Sequence, residues 1–391
     1  MLTIPETIRS HPLAWVISIA VAFRVAVFVG AMFWPLPNEG VGLVSPLISQ
    51  TYADFHFYVE SLKIYRETSF GDLLGEFVRF YNKPFENQVG HVIAGPVFPA
   101  LMAVFDYKPG NTIPLATFYL VLECVWCAVW VRWFYKSGLN TFWLFVLALL
   151  PNPVWFMLII SPDLVFATLV GLFFVSYFSP SPTRVSAITW VACLLLMLLT
   201  RPNGYSLLLF VVLDQGWRCF RQSRAGSAPF YGAVALTVLF GLYLYPYFIT
   251  ELRKTAGTHV FFTIPIGTYL AGLFGILPRW LDIFLSLLSL AGAKVMYFVG
   301  LRPSYGGTPD LLVLMRALPG VVLLPGLVWG LIAVDWRKRV FLLFFFLPIF
   351  LGPTQDRYNL PVFPLLFGYG VLTYLWIWRR LISDVALLAR R

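Results

Sequence analysis

Long apolar stretches separated by short polar turns make up most of this chain. A helix of about 20 apolar residues crosses the hydrocarbon core of a bilayer, and shorter stretches suffice where neighbouring helices shield them. The predicted spans are residues 13–34, 112–135, 139–159, 163–179, 185–200, 203–219, 229–249, 263–278, 280–300, 311–334, 339–353 and 359–378. The pattern therefore predicts an all-α fold, a polytopic transmembrane helical bundle of about 10–13 spans.

Two segments depart from this pattern. Residues 263–278 are short and interrupted by proline and glycine, so this segment is either re-entrant or flat on the membrane, and 263–300 is either two spans or peripheral. Residues 35–111 are polar and predict a long first extracytoplasmic loop that carries short juxtamembrane helices. We expect residues 1–391 to form a single integral membrane domain around this loop.

Composition and charge support a membrane protein and exclude a nucleic-acid-binding one. The chain is 59% hydrophobic and 12% charged, whereas soluble domains carry about 25% charged residues. The net charge of +10 comes from Lys and Arg in short loops between apolar stretches, as the positive-inside rule requires. That asymmetry predicts both termini in the cytoplasm and the long loop outside, in a bacterial inner (plasma) membrane or an ER-type membrane.

The long loop carries the first candidate catalytic group. Asp54 lies next to His56 in the aromatic stretch Tyr52–Tyr58. A carboxylate surrounded by apolar rings holds its proton to higher pH than a solvated one, which suits a general base. The alternative is an interfacial amphipathic helix whose Asp54 and His56 point to water. Tyr58 is a candidate substrate-binding residue.

Several further polar residues fall on the predicted outer side. Lys83 and His91 are candidates to contact a phosphate, although a solvated surface lysine is the common case. Asp163 begins a span and is either a helix cap or a second acid of the site. The positive-inside rule disfavours an arginine at the position of Arg201, so it needs an anionic partner. That partner is either a phosphate or the carboxylate of Asp163 or Glu251.

The last predicted span opens with a second outward arginine, Arg357, followed by Tyr358. His259 joins His56 and His91 on the outer side, which suits a polar cleft. These histidines lack the spacing of metal ligands, so no metal site is predicted. The chain also lacks nucleotide-binding and hydrolase signatures, so an activated donor would have to arrive through or along the membrane.

The order of these elements resembles the type C glycosyltransferases (GT-C), membrane enzymes that take a sugar from a polyprenyl-phosphate carrier. The resemblance rests on five short stretches and covers most of the chain. They are Tyr52–Tyr58, Gly95–Pro99, Ser161–Phe166, Thr200–Gly204 and Arg357–Pro364.

The resemblance implies that Asp54 activates an acceptor hydroxyl and that attack inverts the anomeric centre. Lys83 resembles the basic residue of a Lys-Pro pair in aminoarabinose transferases, where it meets the lipid phosphate. The first motif holds Asp54 alone where the family has an acidic pair, so a divalent cation is left open as cofactor. The implied partners are a polyprenyl-phosphate-linked sugar donor, a glycan, lipid or protein acceptor, and membrane lipids.

Two other functions remain open from the sequence. A glycan polymerase or ligase that uses a diphosphate-linked lipid also needs outer arginines and histidines, but usually places its large loop late in the chain. A lipid or solute transporter would place ionisable residues at mid-depth in its spans, where Glu123 and Lys294 are the clearest examples.

Overall fold

We analysed a computed structural model of the chain. It describes residues 11–34, 36–38, 42–44, 55–72, 74–75, 95–108, 111–201, 203–222, 231–232, 235, 238, 258–259, 262–263, 266–275, 277–302, 310–351 and 356–388.

The described chain is an all-α helical bundle, as the apolar pattern predicts. Its first helices are α1 (Pro12–Phe33), α2 (Phe55–Glu67), α3 (Val97–Val104), α4 (Ile113–Lys136), α5 (Thr141–Leu149), α6 (Pro151–Trp155) and α7 (Pro162–Tyr177). They are followed by α8 (Arg184–Leu198), α9 (Gly204–Gln222), α10 (Ile266–Ala271), α11 (Arg279–Phe298), α12 (Asp310–Ile332), α13 (Trp336–Leu351) and α14 (Phe363–Leu388). Turns of 3₁₀-helix occupy Phe156–Leu158 and Asp356–Val362.

Two pairs of short antiparallel strands occur outside the helices. In the first, β1 (Leu36–Asn38) pairs with β2 (Gly42–Val44) so that Pro37 faces Leu43. In the second, β3 (Thr258–His259) pairs with β4 (Phe262–Thr263). Both pairs are too short to add a layer to the bundle.

Within the described residues, six helices are long and apolar enough to cross a membrane, which makes this an integral membrane protein. They are Pro12–Phe33, Ile113–Lys136, Thr141–Leu158, Arg279–Phe298, Val313–Ile332 and Arg357–Ile382. The apolar helices α7 and α8 are shorter. The predicted span 263–278 contains only the six-residue α10, so no helix in its described part is long enough to cross. The predicted span 229–249 lies almost entirely outside the described residues.

The first helix packs along one stripe of its surface. Val16, Ala20, Phe28 and Ala31 are buried at intervals of three or four residues, together with Arg24. This spacing places them on one helix face, which packs against α4 and α5. The opposite face is apolar and exposed, as expected for a surface in contact with lipid.

The centre of the bundle is α7, which is buried along most of its length. Its first residues pack against the 3₁₀-helix that precedes α14, and its sides against α4 and α8. Asp163 and Tyr177 are 14 positions apart, or about 21 Å at 1.5 Å per residue. We call the two ends of the bundle the Asp163 end and the Tyr177 end.

Glycines allow α12 and α14 to approach each other closely. A methyl group on Gly326 would collide with the Leu366 carbonyl, and one on Gly370 would collide with the Val322 carbonyl. Small residues at such crossings are typical of membrane helices, where close backbone packing replaces the hydrophobic effect. This contact fixes α14, which directly follows the 3₁₀-helix that carries Arg357 and Tyr358.

Candidate functional site

The first component of the site is the carboxylate at the start of α7. Ser161 caps the helix, and its hydroxyl oxygen accepts from the Asp163 N–H at 3.3 Å. Pro162 follows in the first turn, where a missing N–H costs nothing. The Asp163 side chain is only 4% exposed, so its charge must be compensated inside the protein.

The second component is Arg201, in the turn between α8 and α9. Its Nη1 lies 2.9 Å from Asp163 Oδ1, and its side chain is 10% exposed. The turn is tight, because the Gly204 N–H donates to the Arg201 carbonyl at 3.0 Å and a Cβ on Gly204 would lie 2.7 Å from the Met197 backbone. Of the partners that the sequence left open for Arg201, Asp163 is therefore present as an ion pair.

The third component is Tyr358, whose ring is shared by two arginines. The guanidinium carbon of Arg201 lies 5.6 Å from the ring centroid, and that of Arg357 lies 5.3 Å from it. Both distances allow a cation–π interaction. Arg357 is also buried. Asp163 supplies a carboxylate to this cluster, and Arg201 and Arg357 supply two guanidinium groups.

Two tyrosines extend the cluster towards the first part of the chain. Tyr58 of α2 is buried and meets Phe98 edge to face, with 5.0 Å between ring centroids. The Tyr119 hydroxyl donates to the Ser161 carbonyl. Tyr119 lies close enough to Asp163, Tyr58 and Arg201 to interact with them electrostatically.

Backbone hydrogen bonds hold the end of the long loop against the Arg201 turn. The Gly95 N–H donates to the Thr200 carbonyl at 2.9 Å, and the Val97 N–H donates to the Leu199 carbonyl at 3.2 Å. Because α3 starts at Val97 and carries Phe98, these bonds fix the ring on which Tyr58 rests. The end of the loop is thus hydrogen-bonded through its main chain to the two residues that precede Arg201.

The structure brings together five of the predicted site residues, namely Tyr58, Asp163, Arg201, Arg357 and Tyr358. Asp54, Lys83 and His91 lie outside the described residues. His56 belongs to α2 and His259 to β3, but their side chains are not among those described. The positions of these five candidates relative to the cluster therefore stay predictions.

Sequence reasoning missed Tyr119 and the carbonyl of Ser161. Tyr119 sits within an apolar span, and nothing in its neighbourhood distinguishes it from a ring at headgroup depth. Its role in the cluster depends on α4 packing against α7, which is a tertiary contact.

The ionisable residues that a transporter would place at mid-depth in its spans are buried between helices. Arg24 donates to Glu123 Oε1 at 2.8 Å and to the Ala148 carbonyl at 2.7 Å, and Arg24 and Glu123 are almost fully buried. Lys294 donates to the Phe350 carbonyl at 2.8 Å and is buried as well. These bonds join helices to one another.

Within the part of the chain that the structure describes, no group of three or more His, Cys, Asp or Glu side chains is placed to hold a metal ion. The comparisons with known proteins give no further indication of function. No protein-family model, curated protein or solved structure matches the chain.

Proposed function

We propose that the protein is a glycosyltransferase that moves a sugar from a polyprenyl-phosphate carrier to an acceptor at one membrane face. The observation that carries this proposal is the buried pair of arginines, Arg201 and Arg357, which both lie close to the ring of Tyr358. A guanidinium group matches phosphate oxygens with two parallel N–H donors. Two guanidinium groups together at the end of a membrane bundle suit the anionic headgroup of a lipid carrier.

In the proposed reaction the acceptor oxygen attacks the anomeric carbon of the sugar. The bond between that carbon and the phosphate oxygen breaks, and the lipid phosphate leaves with both bonding electrons. Arg201 and Arg357 stabilise the charge that develops on the leaving phosphate, an electrostatic contribution to catalysis. Asp163 positions Arg201 through their 2.9 Å ion pair.

Asp54 takes the proton of the acceptor hydroxyl in this proposal. Tyr58 supports the assignment, because it lies in the cluster and follows Asp54 by four residues. Attack from the face opposite the phosphate inverts the anomeric centre. Lys83, His91, His56 and His259 are further candidates to contact the donor or acceptor.

The proposal assigns the cluster to the extracytoplasmic face, with both termini in the cytoplasm. The basic groups predicted to be cytoplasmic include Arg218 and Arg337, and both lie at the Tyr177 end, away from Asp163. The net positive charge of that end is the asymmetry that the positive-inside rule associates with the cytoplasm.

The decisive experiment uses a ligand common to every sugar donor of this class, the polyprenyl phosphate that the reaction releases. Purified protein in nanodiscs should bind a polyprenyl phosphate, and R357Q should weaken the affinity by at least about tenfold, since a charged hydrogen bond is worth about 1.5–3 kcal/mol. D54N should bind it normally but lose turnover with a complete donor. Arg380, at the far end of α14, gives the control R380Q, which should change neither property.

Two outcomes would contradict the proposal. The first is a protein that is folded, as judged by its thermal transition, but fails to bind a polyprenyl phosphate. The second is a D54N variant with normal turnover, which would remove the catalytic assignment of Asp54.

A further inference from the structure

A second cluster of charged groups surrounds Asp214 at the Tyr177 end of the bundle. Arg337 donates to the two carboxylate oxygens of Asp214 through Nε and Nη2, each at 2.8 Å. Arg218 Nε lies 3.1 Å from Oδ2 of the same carboxylate, and the Tyr177 hydroxyl donates to it at 2.5 Å. This cluster plays no part in the proposed transfer, because it lies about 21 Å along α7 from Asp163.

The Asp214 cluster has more positive than negative charge. One carboxylate, with a side chain 2% exposed, faces two guanidinium groups, of which Arg218 is 37% exposed. A guanidinium group has five N–H donors, and the contact with Asp214 uses the Nε of Arg218. The exposed part of Arg218 is therefore suited to an external anion.

Aromatic rings beside these arginines indicate how deep this positive charge lies in the membrane. The guanidinium carbon of Arg218 lies 5.5 Å from the centroid of the Tyr177 ring, and that of Arg221 lies 4.9 Å from the centroid of Trp217. Trp217 in turn stacks on Phe220, with 5.6 Å between centroids. Tryptophan next to arginine near the end of an apolar helix is typical of the headgroup region of a bilayer.

Arg218 and Arg221 lie three positions apart on α9, so their side chains are neighbours on one helix face. Another basic side chain lies at the same end of the bundle, since Lys338 directly follows Arg337 and lies 5.9 Å from the ring centroid of Trp133. Other charged residues of the adjoining helix ends are Arg132, Lys136, Arg184 and Arg339, together with the acidic Asp335.

We propose that Arg218 and Arg221 bind the phosphate of an anionic phospholipid in the leaflet at the Tyr177 end. Two adjacent guanidinium groups supply the charge and the donors that a phosphodiester requires. The neighbouring helix α8 supplies a surface for the acyl chains, because it packs against α7 and α9 and exposes Ile188, Val191 and Leu195 to the surroundings. A lipid satisfies both features at once, whereas a soluble anion would use only the arginines.

Native mass spectrometry can test this proposal directly. Protein released from nanodiscs that contain equal amounts of phosphatidylglycerol and phosphatidylcholine should retain the anionic lipid in preference. The double variant R218Q/R221Q should lose this preference, with a fall of about fivefold for each arginine, as expected for a basic residue near an anionic lipid surface. Adding excess inorganic phosphate should leave the preference unchanged.

Arg380 provides a matched control, because it also stacks on a tryptophan four residues earlier, 4.5 Å from the ring centroid of Trp376. Because this arginine–tryptophan pair is not part of the Asp214 cluster, R380Q should keep the preference. The single variant R221Q keeps the test valid if the double variant does not fold. The Arg221 side chain is exposed and is not one of the Asp214 partners. R221Q alone should reduce the preference for the anionic lipid about fivefold.

Any of three results would overturn the proposal. The unmodified protein could retain both lipids equally, or the preference for the anionic lipid could survive in both R221Q and R218Q/R221Q. Inorganic phosphate could also compete completely with the anionic lipid. The last result would identify a site for a soluble anion. All these measurements are independent of sugar transfer.

Discussion

At the scale of single residues, the position of Arg201 follows from the cost of burying a charge. A buried guanidinium group needs an anion and hydrogen-bond acceptors within the protein. Asp163 supplies the anion at 2.9 Å, and the Tyr358 ring covers one side of the group. Arg201 is therefore held in place by the protein itself, which is what the proposed electrostatic role requires.

The burial of this ion pair predicts strong coupling between Asp163 and Arg201. D163N and R201Q should each destabilise the protein by about 3–5 kcal/mol, because each leaves the other charge buried without its partner. The loss of unfolding free energy in the double variant D163N/R201Q should be at least about 1 kcal/mol smaller than the sum of the two single losses. Reversible unfolding of the four proteins in lipid or detergent measures this coupling energy.

An exposed ion pair provides the control for this cycle. Arg66 and Asp106 are 3.5 Å apart, with side chains 39% and 62% exposed, and exposed pairs contribute only about 0–1 kcal/mol. R66Q/D106N should therefore show little coupling. Equal coupling energies for the two pairs would mean that burial does not determine the strength of the Asp163–Arg201 interaction.

At the scale of helices, the position of the last span depends on backbone contact. Because a Cβ on Gly326 would meet the Leu366 carbonyl, α12 and α14 touch through their main chains. Side-chain packing at such a crossing cannot adapt without moving a helix. The helix that begins beside Arg357 and Tyr358 is therefore positioned by glycines within the membrane.

We expect Gly326→Ala to destabilise the bundle by about 1–3 kcal/mol, the usual cost of overpacking a core. The same substitution at Gly292 should be neutral or slightly stabilising, because nothing lies within 4 Å of its Cβ position and alanine favours helix. Thermal unfolding of the two purified variants compares them. A Gly326→Ala protein as stable as Gly292→Ala would show that the two helices separate freely.

The sequence predicted most helices well and some contacts poorly, for physical reasons. Six of the twelve predicted spans correspond to described helices long and apolar enough to cross a membrane, because apolar length is a local property of the sequence. The predicted span 139–159 is broken between α5 and α6, where Pro151 and Pro153 lack the N–H that a helix needs, and this break was not predicted. The Arg201–Asp163 pair was one of several alternatives, because local sequence does not determine which helix ends meet.

At the scale of the whole molecule, the bundle has two differently charged ends joined by α7. The Asp163 end contains the buried Arg201–Tyr358–Arg357 group, and the Tyr177 end contains the Asp214 cluster and most of its basic neighbours. Helix α4 connects the same two ends, because Tyr119 contacts the first group and Trp133 meets Lys338 near the second. Each end is thus a distinct chemical environment.

The proposed orientation of these ends can be measured with single cysteines. Asn111→Cys lies just before α4 and Lys136→Cys at its end, and both positions are exposed. In intact cells or sealed vesicles of known orientation, a membrane-impermeant maleimide should label Asn111→Cys from outside and Lys136→Cys only after permeabilisation. The four native cysteines should first be replaced. The reverse labelling pattern would exclude an extracytoplasmic site.

The buried Arg24 has a consequence for biogenesis. Its acceptors Glu123 and Ala148 follow it by 99 and 124 residues, so α1 is synthesised well before either of them. Until they arrive, the helix carries an unneutralised cation, which at the centre of a span costs about 2.5–3.5 kcal/mol on translocon scales. We therefore expect α1 to remain beside the insertion machinery until α4 and α5 emerge, so that the beginning of the chain settles in the bilayer only when its middle has been made.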